Sequence, residues 1–173
     1  MTVTRLISCG DAAELASLLT ANRTFLAPWE PLRSDRYFTE DTQLAGITDA
    51  LQRHAEGLIL PHVIVDGGRI VGRITLNGIV RGPFLSCSVG YWLGQAATGR
   101  GLATAALREI VGIAFGPLGL HRVQAETLLH NIASQRVLER NGFARIGMAP
   151  AYLRIQGRWQ DHILFQLVNK GAS

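Results

Sequence analysis

The sequence has little of what marks secreted, membrane or metal-binding proteins. It contains only two cysteines, Cys9 and Cys87, and their distance in sequence fits neither a metal site nor a redox motif, so we expect two reduced thiols. No apolar run approaches the length of a membrane-spanning helix, and no charged start followed by an apolar block suggests a secretory signal. The five histidines show no metal-ligand spacing. These absences predict a cytoplasmic protein that neither spans a membrane nor holds a metal.

Repeats, low-complexity tracts and linkers are also missing, which predicts a single domain over residues 1–173. Hydrophobic residues make up 47% of the chain and charged residues 17%, a balance typical of a compact core rather than of disorder. The formal net charge is +4 and the sequence pI is about 9.7, which favours anionic partners. Because the arginines form no dense run, we expect a phosphorylated cofactor rather than direct nucleic-acid binding.

Hydrophobic periodicity changes several times along the chain and predicts an α/β (α+β) domain. Helices are predicted from Asp11, where Glu14 three residues on suggests a capping box, from Thr39 to about Glu56, and over 101–115 and 131–141. Predicted strands cover 3–7, 58–66, 69–79, 84–93, 120–128, 143–147 and 155–168. This order predicts three layers, with helices flanking a mixed, mostly antiparallel sheet.

The sharpest local feature is the glycine loop 98–104, which stands between a predicted strand and a strong helix. Glycines let the backbone approach a ligand closely, and a helix start adds about half a positive charge, so a phosphate or pyrophosphate is the expected ligand. A P-loop is excluded because no lysine is present. A dinucleotide fingerprint fits poorly, because Thr104 stands where a third glycine is expected. A plain strand-to-helix turn remains an alternative.

Four motifs in order resemble the GNAT (GCN5-related N-acetyltransferase) family. The residues 91–93 and 99–104 are similar to its motif A, and 130–134 with 140–143 are similar to its motif B. The segments 26–31 and 152–162 resemble the RimJ/RimL ribosomal-protein-alanine acetyltransferase branch. This resemblance covers nearly the whole chain and implies the three-layer GNAT fold and acetyl-CoA as cofactor, and it is compatible with a homodimer.

The resemblance also implies how coenzyme A is held. Backbone groups near Leu93 would align the pantetheine, amides from Thr98 to Ala103 would take the pyrophosphate, and Asn131 would bond the pantetheine or serve only as a helix cap. Either Arg136 or Arg140 would meet the phosphates. The predicted cofactor-binding residues are Tyr91, Trp92, Leu93, Thr98, Gly99, Arg100, Gly101, Leu102, Ala103, Thr104, Asn131, Ser134 and Arg136. The chain departs from the family at Ala96, where a Gln or Arg is common, so one side-chain contact is lost.

Acetyl transfer needs a group that takes the proton of the attacking amine and a donor for the leaving thiolate. Strand alternation places Gln124 and Glu126 on one face, and a carboxylate among apolar strand neighbours is unusual, so Glu126 is the first candidate for the base. Glu30 is the second. Leu138 occupies the site of the family's tyrosine acid, and Ser134, one turn earlier, is the predicted donor.

Trp29, Glu30 and Tyr152 are predicted to contact the acceptor amine, and Tyr91 and Trp92 are further candidates for the wall of its groove. Asp161 and His162 are adjacent on a strand and therefore point opposite ways, which makes a catalytic dyad of the two a poor interpretation.

The predicted activity is acetyl transfer from acetyl-CoA to a protein N-terminal α-amine. The alternatives are a small-molecule amine acceptor, such as an antibiotic or a metabolite, and a non-catalytic acyl-CoA-binding module. A nucleotide-dependent oxidoreductase is the least favoured hypothesis.

Overall fold

The structure is a computed structural model that describes residues 2–171, and its centre is a twisted sheet. The strands are Thr4–Leu6 (β1), Leu60–Asp66 (β2), Arg69–Val80 (β3), Ser86–Leu93 (β4), Arg122–Leu128 (β5), Ala144–Ile155 (β6) and Arg158–Val168 (β7). Their order in the sheet is β1-β2-β3-β4-β5-β7-β6, and only β4 and β5 are parallel neighbours. The predicted mixed, mostly antiparallel sheet is therefore confirmed.

Helices cover both faces of this sheet. They are Ala12–Ala21 (α1), Arg23–Leu26 (α2), Glu40–Ala55 (α3), Leu102–Phe115 (α4) and Ile132–Arg140 (α5). Residues that alternate along the strands pack in two separate cores, one with α1 and α3 and the other with α4 and α5. The predicted three layers are confirmed.

The spacing of apolar residues explains these two cores. Ala106 and Ile110 of α4 are fully buried, as their separation of one helical turn predicts, and they belong to the larger core with Val123 of β5. Leu15 of α1 and Ile47 of α3 are fully buried in the smaller core on the opposite face. The sheet thus presents one face to α4 and α5, and the other to α1 and α3.

The start of the first helix differs from the prediction. The Asp11 carboxylate accepts a hydrogen bond from the Ser8 backbone N–H at 2.8 Å and forms an ion pair with Arg5 at 2.8 Å. Glu14 instead accepts a hydrogen bond from the Ile70 backbone N–H on β3, at 2.8 Å. The capping box therefore lies three residues earlier than predicted, between Ser8 and Asp11, and Glu14 makes a tertiary contact with β3 instead.

The C-terminal strands also differ from the prediction. The strand predicted at 143–147 is β6, which continues to Ile155, and the predicted arm 155–168 begins only at Arg158. β6 lies at the edge of the sheet and its register shifts between Ala149 and Leu153, around Pro150. Proline cannot donate a ladder bond and is tolerated at edge strands and bulges, so this strand continues where sequence patterning suggested a break.

The parallel pair β4 and β5 opens into a wedge. Ser86–Ser88 pairs with 122–124, and in the described part of the chain the remaining residues of the two strands make no ladder with each other. β4 nevertheless continues to Leu93 and β5 to Leu128. The backbone edges that face this wedge can pair with an extended ligand. Within residues 2–171, no helix has the length and apolarity needed to cross a bilayer.

Candidate active site

The glycine loop closes one end of the wedge. Gly99 and Gly101 have φ angles of +73° and +79°, in the left-handed region that favours glycine, and a Cβ at either position would point into open space. Gly101 directly precedes α4, a helix of 14 residues with substantial dipole. Thr98 donates its hydroxyl to the Gln95 carbonyl at 2.7 Å, which fixes the preceding turn. The loop thus offers uncovered backbone amides at a helix N-terminus, as pyrophosphate binding requires.

The other predicted residues of this region occupy the loop and the first turn of α4. Leu102, Ala103 and Thr104 are half-buried there, and the Thr104 carbonyl accepts a hydrogen bond from the Asn141 amide at 3.2 Å. The Arg100 guanidinium forms an ion pair with Asp66 at 2.7 Å. In this conformation the side chain of Arg100 is directed to β2, so only its backbone remains for the predicted contact.

Sequence analysis missed the residue that ties this loop to α1. The Asn22 side chain follows the end of α1, accepts a hydrogen bond from the Gln95 backbone N–H at 2.7 Å, and donates one to the Leu18 carbonyl at 2.8 Å. An asparagine after a helix end is a recognisable cap signal. Its partner 73 residues away, however, is set only by the tertiary fold.

The cap of α5 lies beside the wedge. Asn131 accepts a hydrogen bond from the Ser134 backbone N–H at 3.2 Å, which is the capping role considered for it. The Ser134 hydroxyl is 2.8 Å from the Tyr91 hydroxyl, across from β4. Burial raises the pKa of Tyr91 to about 12, so the phenol stays protonated near neutral pH. It can donate to Ser134 and leave the serine hydrogen for another acceptor.

This contact corrects the prediction that Tyr91 walls the acceptor groove. Tyr91 points to the layer of α4 and α5, whereas Trp92, its neighbour on β4, packs on the opposite face with Leu15 and Ile47. Adjacent strand residues face opposite sides, so one groove cannot contain both rings. Tyr91 belongs with Ser134, and Trp92 is a packing residue.

Glu126 lies on the face of the sheet that carries α1 and α3. It is half-buried, while its neighbours Ala125 and Thr127 are buried on the other face, as the predicted alternation requires. Burial raises the pKa of Glu126 above its usual range. A carboxyl with a raised pKa is a stronger proton acceptor once ionised, which suits a general base.

Two aromatic residues lie on the side of Glu126 that faces β6 and β7. The pKa of Tyr152 on β6 is raised by burial and, to a smaller extent, by the charge of Glu126. Tyr152 also lies against His162, with ring centroids 5.6 Å apart. His162 is only 3% exposed, and its Nδ1 is 3.0 Å from the Gln160 carbonyl. The strand ladder aligns His162 with Leu128, two residues beyond Glu126 on the same face.

The predicted separation of Asp161 from His162 is found. The Asp161 carboxylate accepts a hydrogen bond from the Ala151 backbone N–H at 2.8 Å and takes no part in the cluster. His162, which sequence analysis set aside together with Asp161, is nevertheless a groove residue. The pairing of β7 with β5, which places it there, has no signal in the local sequence.

The connector 26–31 approaches the same groove from α2. Trp29 is 37% exposed and lies against His130, with ring centroids 5.4 Å apart. Gln156 donates two hydrogen bonds to the Glu30 carbonyl, from its backbone N–H at 3.2 Å and its side chain at 3.1 Å. Burial raises the pKa of Glu30, and Arg33, 3.9 Å away, opposes this shift. The connector is thus docked on the β6–β7 turn.

The predicted phosphate-binding arginines are less constrained. Arg136 and Arg140 are exposed on α5 and form no ion pair with another of the residues 2–171. In the same part of the chain, no group of three His, Cys, Asp or Glu side chains is placed to hold a metal ion.

Coenzyme A fits this arrangement on three structural observations. The wedge has unpaired strand edges for an extended arm, the loop has open space where a Cβ would stand, and the first turn of α4 supplies amides for phosphates. Tyr91 and Ser134 lie on the α4–α5 side of the sheet, whereas Glu126 lies on the α1–α3 side. A thioester held in the wedge would therefore meet an amine that arrives from the α1–α3 side.

Comparisons with known proteins agree with this geometry. The profile of the acetyltransferase (GNAT) domain matches residues 3–144. The ribosomal protein uS5 alanine N-acetyltransferase of Escherichia coli is 34% identical over 95% of this chain and 86% of its own. A ribosomal-protein alanine acetyltransferase of Vibrio fischeri superposes with a TM-score of 0.93 at 34% identity, covering 98% of this chain and 94% of that one.

RimJ of Mycobacterium smegmatis, solved with a coenzyme A disulfide, superposes with a TM-score of 0.94 at 30% identity. The match covers 96% of this chain and 81% of that one. These matches extend over almost the whole sheet and both helical layers. The chain therefore belongs to the GNAT family of acetyltransferases and is an acetyl-CoA-dependent N-acetyltransferase.

Proposed function

We propose that the acceptor is the N-terminal α-amine of a protein, of the ribosomal-protein alanine type, and that the enzyme works in the cytoplasm. The observation that carries the proposal is the wedge between β4 and β5, since the half-buried Glu126 lies on β5 just beyond the last paired residues. The 34% identity to a ribosomal-protein alanine acetyltransferase supports the choice of acceptor.

Acetyl-CoA supplies an acetyl thioester when bound. The residues that would hold it are the amides of the loop 98–103 and the unpaired edge of β4 near Leu93, with Asn131 and Arg136 at the α5 side. Their role is to position the thioester and to keep it in the wedge, since orientation alone lowers a reaction barrier by several kcal/mol.

Glu126 would take the proton from the attacking ammonium or amine, directly or through a water molecule. Its partial burial raises the pKa of the carboxyl, which favours a proton-accepting carboxylate. Glu30, which is also buried and has a raised pKa, is the second candidate and would bind the incoming ammonium. Trp29 and Tyr152, both exposed at the groove, would contact the first residue of the acceptor.

Ser134 would donate a hydrogen bond at the position where the thiolate leaves. Its hydroxyl lies 2.8 Å from that of Tyr91, whose raised pKa keeps the phenol protonated, so the serine hydrogen is available whenever Tyr91 is the donor of this bond. Two hydroxyls in series would thus replace the tyrosine acid that Leu138 excludes. Thiolates are good leaving groups, so we expect this contribution to be smaller than that of the base.

The test is release of free thiol from acetyl-CoA with a panel of acceptors. The panel contains an alanine-starting peptide, the same peptide with a blocked N-terminus and one lysine, an aminoglycoside and a polyamine. We expect turnover with the free α-amine and none with the blocked peptide. Preference for the aminoglycoside or polyamine would contradict the proposal, and so would a thermal shift with coenzyme A but no turnover with any amine.

A further inference from the structure

Arg73 is a cation on the face of the sheet that carries α1, α3 and Glu126. It lies in the middle of β3, where the ladder pairs it with Val63 of β2 and Trp92 of β4. Both neighbours pack in the core under α1 and α3, so Arg73 faces that layer. Ser88 lies on the same face of β4 as Trp92, and it pairs with Gln124 of β5. Arg73 and Glu126 therefore share one face of the sheet, two strands apart.

No side chain neutralises this arginine. Arg73 is half-buried, and its guanidinium has no ion pair and no hydrogen bond with any of the residues 2–171. Burial lowers its pKa and the phenol of Tyr37 opposes this shift, yet an arginine remains charged in proteins. A partly desolvated cation with five donors is costly without an acceptor. An oxygen from outside the chain would satisfy it.

A cleft of about 500 Å³ is lined by Tyr37, the residue whose phenol interacts with the charge of Arg73. Its lining includes Arg33 and Arg36, and Arg33 stacks over the Tyr37 ring at 4.3 Å. Asp41 is the acidic residue of the lining, whereas the nearby Asp35 is paired with Arg23 at 2.6 Å. Basic groups therefore exceed acidic ones in the lining of this cleft.

The distance between the two residues limits which part of an acceptor can meet Arg73. Strands two positions apart in a regular sheet are separated by roughly 10 Å, and here this is a lower limit because β4 and β5 diverge beyond Ser88 and Gln124. An extended peptide advances about 3.3 Å per residue, and the long side chains at both ends span part of the gap. With its amine at Glu126, a peptide reaches the Arg73 side chain with its second or third residue. A carboxylate fits a guanidinium in two parallel hydrogen bonds, better than an amide or a carbonyl does.

We propose that Arg73 selects acceptor peptides that carry an aspartate or glutamate at the second or third residue. This rests on the proposed function, acetylation of a peptide α-amine. The residue acts on acceptor binding rather than on the chemical step, because it lies away from the reacting amine. Polyamines and aminoglycosides, which carry only cations near the amine, would be disfavoured by the same charge.

The test uses four alanine-starting hexapeptides, with Asp or Asn at the second residue and Asp or Asn at the third. For the unaltered enzyme we expect kcat/KM to be about tenfold higher for the better Asp peptide than for its Asn partner, through KM, as a charge-assisted hydrogen bond predicts. Arg73→Met should bring this ratio close to one, and Arg73→Lys should retain part of it. Arg53→Met, on the exposed end of α3, is the matched control and should retain the full ratio.

Thermal unfolding and the KM for acetyl-CoA verify that each variant is folded and binds its cofactor. Equal kcat/KM for Asp and Asn peptides with the unaltered enzyme would overturn the inference while leaving the proposed function intact. An equal rise in KM for all four peptides in Arg73→Met would also overturn it, since Arg73 would then contact a backbone carbonyl. Failure of every peptide α-amine as an acceptor would instead reject the proposed function, and the inference with it.

Discussion

The proposed active site has two halves, one for the cofactor and one for the acceptor, and they are built in different ways. The cofactor half is mostly backbone: a glycine loop over 98–101, the first turn of α4 and the unpaired edge of β4. The acceptor half is mostly side chains from distant segments, with Glu126 on β5, Tyr152 on β6, His162 on β7 and Arg73 on β3. The cofactor half requires few specific side chains, and its main sequence requirement is the two glycines of the loop. The acceptor half is specified residue by residue.

This difference indicates where specificity resides. Backbone amides and a helix dipole recognise a phosphate whatever the neighbouring side chains are, so that half suits a cofactor common to a whole family. Side chains on four strands can change independently without disturbing the ladder, so the other half suits different acceptors. A substitution should then change the binding of acetyl-CoA or the binding of the acceptor, but rarely both.

The largest effect is expected for Glu126→Gln. Loss of a positioned base typically costs about 10²–10⁴-fold in rate, so we expect kcat/KM to fall in that range while the thermal shift with coenzyme A is unchanged. In the unaltered enzyme, kcat/KM should rise with pH through the pKa of Glu126, which burial raises, because only the ionised carboxyl accepts a proton. Steady-state kinetics across pH will show whether this rising limb disappears in the variant.

Gln124→Asn is the matched control for this prediction, since Gln124 lies on the same strand and face. Full activity in Glu126→Gln would remove Glu126 from the mechanism and direct attention to Glu30. A loss of coenzyme A binding in the same variant would show that the two halves do not act independently.

The next effect concerns the cofactor half. Gly101→Ala places a Cβ on a residue with φ +79°, and left-handed backbone costs an L-residue about 1–2 kcal/mol, so we expect the KM for acetyl-CoA to rise roughly tenfold. Gly112→Ala, in the interior of the same helix, is the matched control. Its Cβ would meet no atom within 4 Å, and alanine should stabilise the helix by about 1 kcal/mol.

Initial rates and thermal unfolding measure both glycine variants. The proposed separation of the two halves would be contradicted if Gly101→Ala raised the KM for the acceptor as much as the KM for acetyl-CoA. It would also be contradicted if Gly112→Ala weakened cofactor binding as much as Gly101→Ala does.

A smaller effect is expected for the hydroxyl pair of Tyr91 and Ser134. Ser134→Ala removes the proposed donor, and Tyr91→Phe removes the hydroxyl 2.8 Å from it. A neutral hydrogen bond contributes about 0.5–1.5 kcal/mol, so each variant should lower kcat by about threefold to tenfold. Because both hydroxyls act in series, the double variant should be no slower than Ser134→Ala alone. Strictly multiplicative losses in this cycle would show that they act separately.

The smallest effect is expected for Asn22→Ala. The side chain holds the turn at Gln95 to the end of α1, and we expect its loss to raise the KM for acetyl-CoA by only about threefold, since the bond is partly exposed. Asn169→Ala, near the C-terminal end of the described chain, is the control. An unchanged KM would mean that the glycine loop keeps its position without this anchor.

Much of the architecture was predictable because its determinants are local. The strands 60–66 and 69–80 follow from alternating apolar residues around Gly67 and Gly68, and α3 begins after Thr39, whose side chain accepts from the Thr42 backbone N–H. The glycine loop was predictable for the same reason. Its glycines, its strand and its helix are consecutive in the chain.

What the sequence determined by itself is therefore most of the list of elements, the glycine loop and the alternation that places Glu126 opposite its buried neighbours. Only the tertiary structure decided that Tyr91 meets Ser134, that His162 shares a face with Glu126 and that Arg73 has no ion-pair partner among residues 2–171. The physical reason is range: helix and turn preferences act over a few residues, whereas these contacts depend on which strands pair. Strand order and register are fixed by burial of the whole sheet, which no single segment encodes.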